Sequence, residues 1–162
     1  MKKIKIPNLL IAIALPLAVG ALSAFISSSG SDGGFSATYG GLNQPPFSPP
    51  SWLFTIVWNV LYVMMGIASY IADVNAESQT ERRSALYLYG AQLALNFIWP
   101  IAFFRAKQYI LAIVILAALF FLVVFTAIKF FKIKPAAGWL LIPYLLWLAF
   151  AAYLNVGVAI LN

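Results

Sequence analysis

The chain has 162 residues, of which 64% are hydrophobic and only 9% are charged, and its net charge is +6. A soluble domain is typically about half apolar and a quarter charged, so a water-soluble monomer could not bury this much apolar surface. The sequence contains no cysteine or histidine, which excludes disulfides, thiolate nucleophiles and histidine-metal sites, and its four acidic residues leave little for carboxylate catalysis.

The first predicted element is an apolar helix over residues 7–27, with lysines before it and Asp32 after it. About 20 apolar helical residues are needed to cross the hydrocarbon core of a bilayer, and this run is long enough. Lysines followed by an apolar run and the small residues at 21–24 also resemble a signal peptide with its cleavage site. Pro16 and Gly20 favour instead a retained membrane helix that packs closely on its neighbours.

Residues 28–51 are predicted to form a loop, which is rich in glycine and serine at first and in proline at its end. Residues 45–50 read PPFSPP, so four of six positions are proline. Proline fixes φ and lowers the entropy of the free loop, which favours a single loop shape. The loop is either a stiff connector, with Trp52 anchored at the membrane interface, or a lid over a pocket.

Four further apolar segments are predicted to be helices, near residues 52–72, 84–104, 109–130 and 136–160. The predicted fold is therefore all-α: residues 1–162 form one domain, a bundle of five transmembrane helices. With a cytoplasmic N-terminus, eight basic residues lie on the cytoplasmic side, namely Lys2, Lys3, Lys5, Arg82, Arg83, Lys129, Lys132 and Lys134. Only Arg105 and Lys107 lie on the other side, so the positive-inside rule favours this orientation. Basic residues next to a membrane do not indicate a nucleic-acid partner.

Polar and aromatic residues recur at helical spacing on three of the predicted spans. The three faces consist of Trp58, Tyr62, Met65 and Ser69; of Gln92, Asn96, Trp99 and Phe103; and of Tyr144, Trp147, Ala151, Leu154, Asn155 and Val158. Amides at membrane depth need protein partners, so Gln92 and Asn155 are predicted to bond between helices. The faces either line an aromatic pocket for a flat apolar ligand with carbonyl or carboxylate groups, or they pack the bundle.

The third span also carries two small residues four positions apart, Gly90 and Ala94. Such a pair lets two helix backbones approach closely. We predict a homodimer through this helix; the alternative is that the pair packs against another helix of the same protomer.

Four ordered sequence blocks resemble the translocator protein family, also called the tryptophan-rich sensory protein family. They are PPFSPPSW at 45–52, VWNVLY at 57–62, QLALNFIWP at 92–100 and PYLLWLAFA at 143–151. The resemblance covers residues 38–162 and implies a five-helix bundle, usually dimeric, in a bacterial cell membrane.

The resemblance implies a receptor or sensor for porphyrins, haem and other flat hydrophobic molecules, which are ligands rather than cofactors. It implies a pocket lined by the first, second and fifth helices under the first loop, and light-dependent porphyrin degradation through Trp58 and Trp147 in some bacterial members. With the helical faces, it predicts these ligand-binding residues: Tyr39, Phe47, Trp58, Tyr62, Asn96, Trp99, Trp147, Ala151 and Leu154. Residues 156–160 lack the aromatic and basic residues of the family's vertebrate cholesterol motif, so high-affinity cholesterol binding is not expected.

The alternative function is a transporter that moves the same ligands across the bilayer. Transporters of many folds have internal repeats, and five unrepeated spans argue mildly against this class. Efflux of porphyrin from loaded vesicles, with and without the protein, would separate the two functions.

Overall fold

The computed structural model describes residues 5–29 and 34–162, and within these residues it contains helices and turns but no strand. The loop segment 30–33, with Asp32, and the basic residues Lys2 and Lys3 lie outside the described residues. The helices are α1 (Ile6–Ser28), α2 (Gly34–Gly40), α3 (Ser51–Asn75), α4 (Gln79–Pro100), α5 (Tyr109–Ile133), α6 (Pro135–Trp139) and α7 (Ile142–Leu161). A π-helical turn, Ile101–Arg105, extends α4.

Five helical segments of the described residues are long and apolar enough to cross a membrane: α1, α3, α4 with its π-helical turn, α5, and α6 together with α7. The predicted all-α five-helix bundle is thus confirmed. The structure adds two local features to the predicted elements. The short helix α2 lies inside the predicted loop, because the glycines on either side of it favoured the prediction of a loop. The fifth span is interrupted between Trp139 and Ile142. Pro143 causes the interruption, because it has no N–H to continue a helix from the preceding turn.

Glycines set the approach of α1 to α3. A Cβ placed on Gly66 would lie 2.5 Å from the Cα of Ile13 and 2.6 Å from the carbonyl oxygen of Ala12, so the two backbones touch at this point. A Cβ on Gly20 would lie 2.1 Å from the ring of Tyr62. Lipid tails are as apolar as the helices, so the hydrophobic effect does not drive helices together within a membrane. Close packing of the two helices stabilises their association instead. The first helix therefore packs within the bundle, as the retained-helix interpretation predicts.

We expect Gly66→Ala and Gly90→Ala to change thermal stability in opposite directions. Alanine favours a helix over glycine by about 1 kcal/mol in both cases. At Gly66 the new methyl group meets backbone, and overpacking costs about 1–3 kcal/mol, so we expect a net loss of up to about 2 kcal/mol. At Gly90 the methyl group meets nothing of the same protomer within 4 Å, so the stability of the monomer, measured at a dilution where the protein is monomeric, should rise. Thermal unfolding in detergent measures both, and equal shifts would contradict the α1–α3 contact.

The π-helical turn follows from Pro100, which lacks an N–H and whose ring crowds the preceding turn. The hydrogen bonds shift register: the N–H of Ala106 donates to the carbonyl oxygen of Ile101 at 2.9 Å, five residues back. The wider turn buries Ala102, Phe103 and Phe104 together. A regular α-helix turns about 100° per residue and would point one of them away.

The proline-rich segment, residues 41–50, is fastened to the C-terminal end of α7. Asn43 and Asn162 exchange two hydrogen bonds, at 3.0 Å and 2.9 Å, and the Tyr153 hydroxyl donates to the carbonyl oxygen of Pro46 at 2.8 Å. Pro45 packs against Gly157, where a Cβ would lie 2.5 Å from its ring. The segment therefore holds one shape across the end of the bundle where the π-helical turn also lies, which we call the loop end.

Candidate ligand-binding cavity

A cavity of about 320 Å³ lies between α1, α3 and α4 near the loop end. Small side chains line it on α1 and aromatic side chains line it on α3 and α4; the lining residues are Leu17, Gly20, Ala21, Ser23, Ala24, Ser27, Phe54, Thr55, Trp58, Asn59, Tyr62, Trp99, Pro100 and Phe104. Pockets for small molecules span about 300–1,000 Å³ and are mostly apolar with a few polar groups. The cavity has this composition and lies at the small end of the range.

Trp58 is the centre of the aromatic wall. Its ring stacks on that of Tyr62 with centroids 5.6 Å apart, lies 6.3 Å from the ring of Trp99, and meets that of Tyr144 edge-on at 6.0 Å. These spacings lie in the range where aromatic pairs attract one another. The wall therefore presents flat π-surfaces whose positions are fixed by one another.

Two hydrogen bonds behind this wall hold it in place. The Tyr62 hydroxyl donates to Oδ1 of Asn96 at 2.8 Å, and Nδ2 of Asn96 donates to the Tyr144 hydroxyl at 2.8 Å. Asn96 is buried and thus joins α3, α4 and α7 at one point. The amide orients the rings without lining the cavity itself.

One residue of the cavity wall has a buried polar group that makes no hydrogen bond among the described residues. The Nε1–H of Trp99 is buried and has no hydrogen-bond partner among the described residues. A buried donor without an acceptor costs about 1–3 kcal/mol. Its Nε1 has almost no accessible surface, so the N–H is enclosed by protein and does not face the open cavity.

The structure does not place Trp58 and Trp147 in one cavity. Trp147 lines a second groove, of about 530 Å³, between α3 and α7. Phe54 stands between the two sites: it lines the first cavity and meets the ring of Trp147 edge-on at 5.6 Å. The third wall of this cavity is α4 with its π-helical turn, where Phe104 lies beside Trp99, and no residue of the fifth span is among the lining residues.

The other predicted site residues lie outside both cavities. Tyr39 packs its ring against Phe54 at 5.0 Å and donates its hydroxyl to the carbonyl oxygen of Pro49 at 2.9 Å. Burial raises the pKa of the Tyr39 phenol, so it stays a neutral donor at physiological pH. Ala151 and Leu154 are buried in the core, whereas Phe47 is 90% exposed.

The sequence analysis expected the first helix to line the pocket but named none of its residues, and it missed Phe104. Ser23 and Ser27 are buried on α1, and the Ser23 hydroxyl donates to the carbonyl oxygen of Phe97 at 2.7 Å. The signal was available, since Gly20, Ser23 and Ser27 follow helical spacing as one small-residue face. Phe104 could have been found only by recognising that Pro100 changes the helical register.

The two other buried amides differ in their partners. Gln92 donates to the sulfur of Met65 at 3.7 Å and so makes the predicted bond between helices. The side-chain nitrogen and oxygen of Asn155 have no partner among the described residues, so its predicted interhelical bond is not found there.

Comparisons with known proteins agree with this architecture. A model described as the TspO/MBR family matches residues 12–161. The chain is 40% identical to the translocator protein of Sus scrofa over 85% of this chain and 82% of that protein. It is 34% identical to the tryptophan-rich protein TspO of Chlorobaculum tepidum over 98% of both chains, and 35% identical to the tryptophan-rich sensory protein of Cereibacter sphaeroides over 76% of both.

Proposed function

The chain belongs to the TspO/MBR family, and we propose that it is a membrane receptor or sensor that binds tetrapyrroles and similar flat hydrophobic ligands in the cavity between α1, α3 and α4. The observation that carries the proposal is the aromatic wall of Trp58, Tyr62 and Trp99 beside the cavity. A macrocycle would stack on these rings.

The residues present fit the ring of a porphyrin rather than a metal at its centre. The sequence has no histidine or cysteine to ligate an iron, and the Tyr62 hydroxyl is already bonded to Asn96. Haem bound here would be held by its ring faces and its carboxylates. Metal-free protoporphyrin should therefore bind about as tightly as haem.

The test is a titration of the purified protein with protoporphyrin, followed by quenching of tryptophan fluorescence. We expect saturable quenching with one site per chain, and competition by haem. Trp139→Phe serves as a control, because Trp139 is 65% exposed and packs on Phe131 away from the cavity. Quenching that does not saturate would count against a binding site.

Light-dependent degradation of bound porphyrin is part of the proposal. The sequence offers no histidine or cysteine for such a reaction, so an oxidisable indole in contact with the ligand is the group that can take part. Under illumination, Trp58→Phe should suppress porphyrin loss while much of the binding remains. If Trp58→Phe and the parent protein lost porphyrin at the same rate under illumination, Trp58 would have no part in this reaction.

We propose that the N-terminus is cytoplasmic and that the protein lies in a bacterial cell membrane. A reporter fused after Asn162 should then lie outside the cytoplasm, because five spans put the termini on opposite sides. A phosphatase fusion, active only outside, and a fluorescent protein fusion, active only inside, measure this. A fluorescent C-terminal fusion would reverse the proposed orientation.

We further propose a homodimer through α4. Gly90 and Ala94 are exposed, and a Cβ on Gly90 would meet nothing within 4 Å, so the pair does not pack within the protomer. Leucine at both positions should shift the detergent-solubilised protein towards monomer without unfolding it. Sedimentation measures the change, with Ala118→Leu on the exposed face of α5 as the control.

A further inference from the structure

The cavity between α1 and α3 has a mouth on the side of the bundle. Four of its lining residues are exposed: Ala21 and Ala24 on α1, and Thr55 and Asn59 on α3. Since both helices are membrane spans, this side faces lipid. The cavity therefore opens laterally, towards the bilayer.

The mouth exists because α1 and α3 touch only away from the loop end. Their backbones meet at Gly66, and nearer the loop end the ring of Tyr62 fills the space against Gly20. Beyond this ring, the small α1 residues Ser23 and Ala24 face the cavity instead of a close partner. The gap between the two helices is therefore closed at Gly66 and open towards the loop end.

Contacts cross the loop end of the cavity, by contrast. Nη1 of Arg105 donates to the carbonyl oxygen of Ile26 at 3.3 Å, which joins the π-helical turn to the last turn of α1. The ring of Tyr39 packs against Phe54, and its hydroxyl donates a hydrogen bond to the carbonyl oxygen of Pro49. These contacts join neighbouring elements at the loop end, whereas the four exposed lining residues lie on the side between α1 and α3.

The mouth also carries an exposed amide, although lipid offers such a group no hydrogen-bond partner. Asn59 lies eight residues into α3, about 12 Å from its start, and its side chain is exposed. Its Nδ2 donates to the carbonyl oxygen of Thr55 at 2.8 Å, which leaves Oδ1 and the second N–H for other partners. Amides at membrane depth normally face protein, because hydrocarbon offers them no hydrogen bond.

We propose that the cavity is loaded from the bilayer through this mouth, and that it takes ligands that partition into the membrane and keep a polar edge at Asn59. This inference rests on the proposed function and adds the route and the class of ligand. An apolar face enters against the rings of Trp58 and Trp99, while a carboxylate or carbonyl edge stays at the mouth. A cavity of only about 320 Å³ suits this arrangement, because a larger macrocycle extends into the opening.

The experiment uses the absence of native cysteines in the sequence. Ala24→Cys is folded first and then labelled with a bulky maleimide, so that the block is added to an intact protein. Ala14→Cys, on the exposed face of α1 outside the mouth, receives the same label as a matched control. Rates of porphyrin association and dissociation are measured in nanodiscs before and after labelling.

We expect the label at Ala24→Cys to slow association and dissociation at least tenfold each, because it obstructs the route in both directions. A label that only filled the cavity would slow association but speed dissociation. The label at Ala14→Cys should change neither rate.

Two results would overturn the inference. Unchanged rates after labelling, with normal binding by the parent, would exclude the lateral mouth and leave the proposed function intact. No saturable binding by the unlabelled parent protein would overturn the proposed function together with the route.

Discussion

Trp58→Ala should weaken protoporphyrin binding about 5- to 150-fold, whereas Trp58→Phe should weaken it less. The indole of Trp58 forms the centre of the aromatic wall, between the rings of Tyr62 and Trp99. Aromatic contacts contribute about 0.5–1.5 kcal/mol beyond burial, and a net hydrogen bond contributes about as much, so the loss is about 1–3 kcal/mol. Phenylalanine keeps a ring for stacking. Titration of fluorescence quenching measures the affinity of each variant.

The arrangement of the tryptophans gives this prediction its controls. Trp99→Phe makes the aromatic wall smaller at one edge and should weaken binding less than Trp58→Ala does, because Trp58 is the centre of the wall. Trp147 reaches the cavity only through Phe54, so Trp147→Phe should have a smaller effect than Trp58→Ala. If Trp147→Phe weakened binding more than Trp58→Ala did, the ligand would occupy the groove between α3 and α7 instead.

The bundle could be predicted from the sequence because hydrocarbon leaves few choices. Every backbone polar group in lipid must bond within its own element, so each charge-free apolar run becomes a helix. The buried positions of Asn96 and Gln92 follow from the same argument, since hydrocarbon cannot satisfy an amide. Periodicity then places Tyr62 and Trp99 on inward faces before any contact is known.

Which inward faces share a cavity could not be predicted in this way. Helical spacing gives the direction of a side chain about its own axis, but not the distance between axes. Here that distance depends on Gly66 between α1 and α3, and on the register shift at Pro100. Both features bring α1 and α4 to Trp58, and Phe54 separates Trp147 from the same space. The resemblance indicates which residue types form the site, but only the three-dimensional structure shows which of these residues line the same cavity.

Asn96→Ala should lower the thermal stability of the protein. It leaves the hydroxyls of Tyr62 and Tyr144 without their partner, and both groups are buried. A buried unsatisfied hydroxyl costs about 1–3 kcal/mol. Bonds between membrane helices average only about 0.6 kcal/mol, because the unfolded chain in the membrane also finds partners. For two bonds we therefore expect a loss of about 1–4 kcal/mol.

The loss should be specific to this network, and three substitutions test that. Tyr62→Phe and Tyr144→Phe each remove one of the two bonds and should each cost less than Asn96→Ala. Gln92→Met, one turn earlier on α4, removes only a long contact with the Met65 sulfur and should cost least. In double mutants with Asn96→Ala, neither tyrosine change should destabilise further by its full amount, because the bond it removes is already lost. Full additivity in thermal unfolding would mean that Asn96 does not join α3, α4 and α7, and that the aromatic wall is held by ring packing alone.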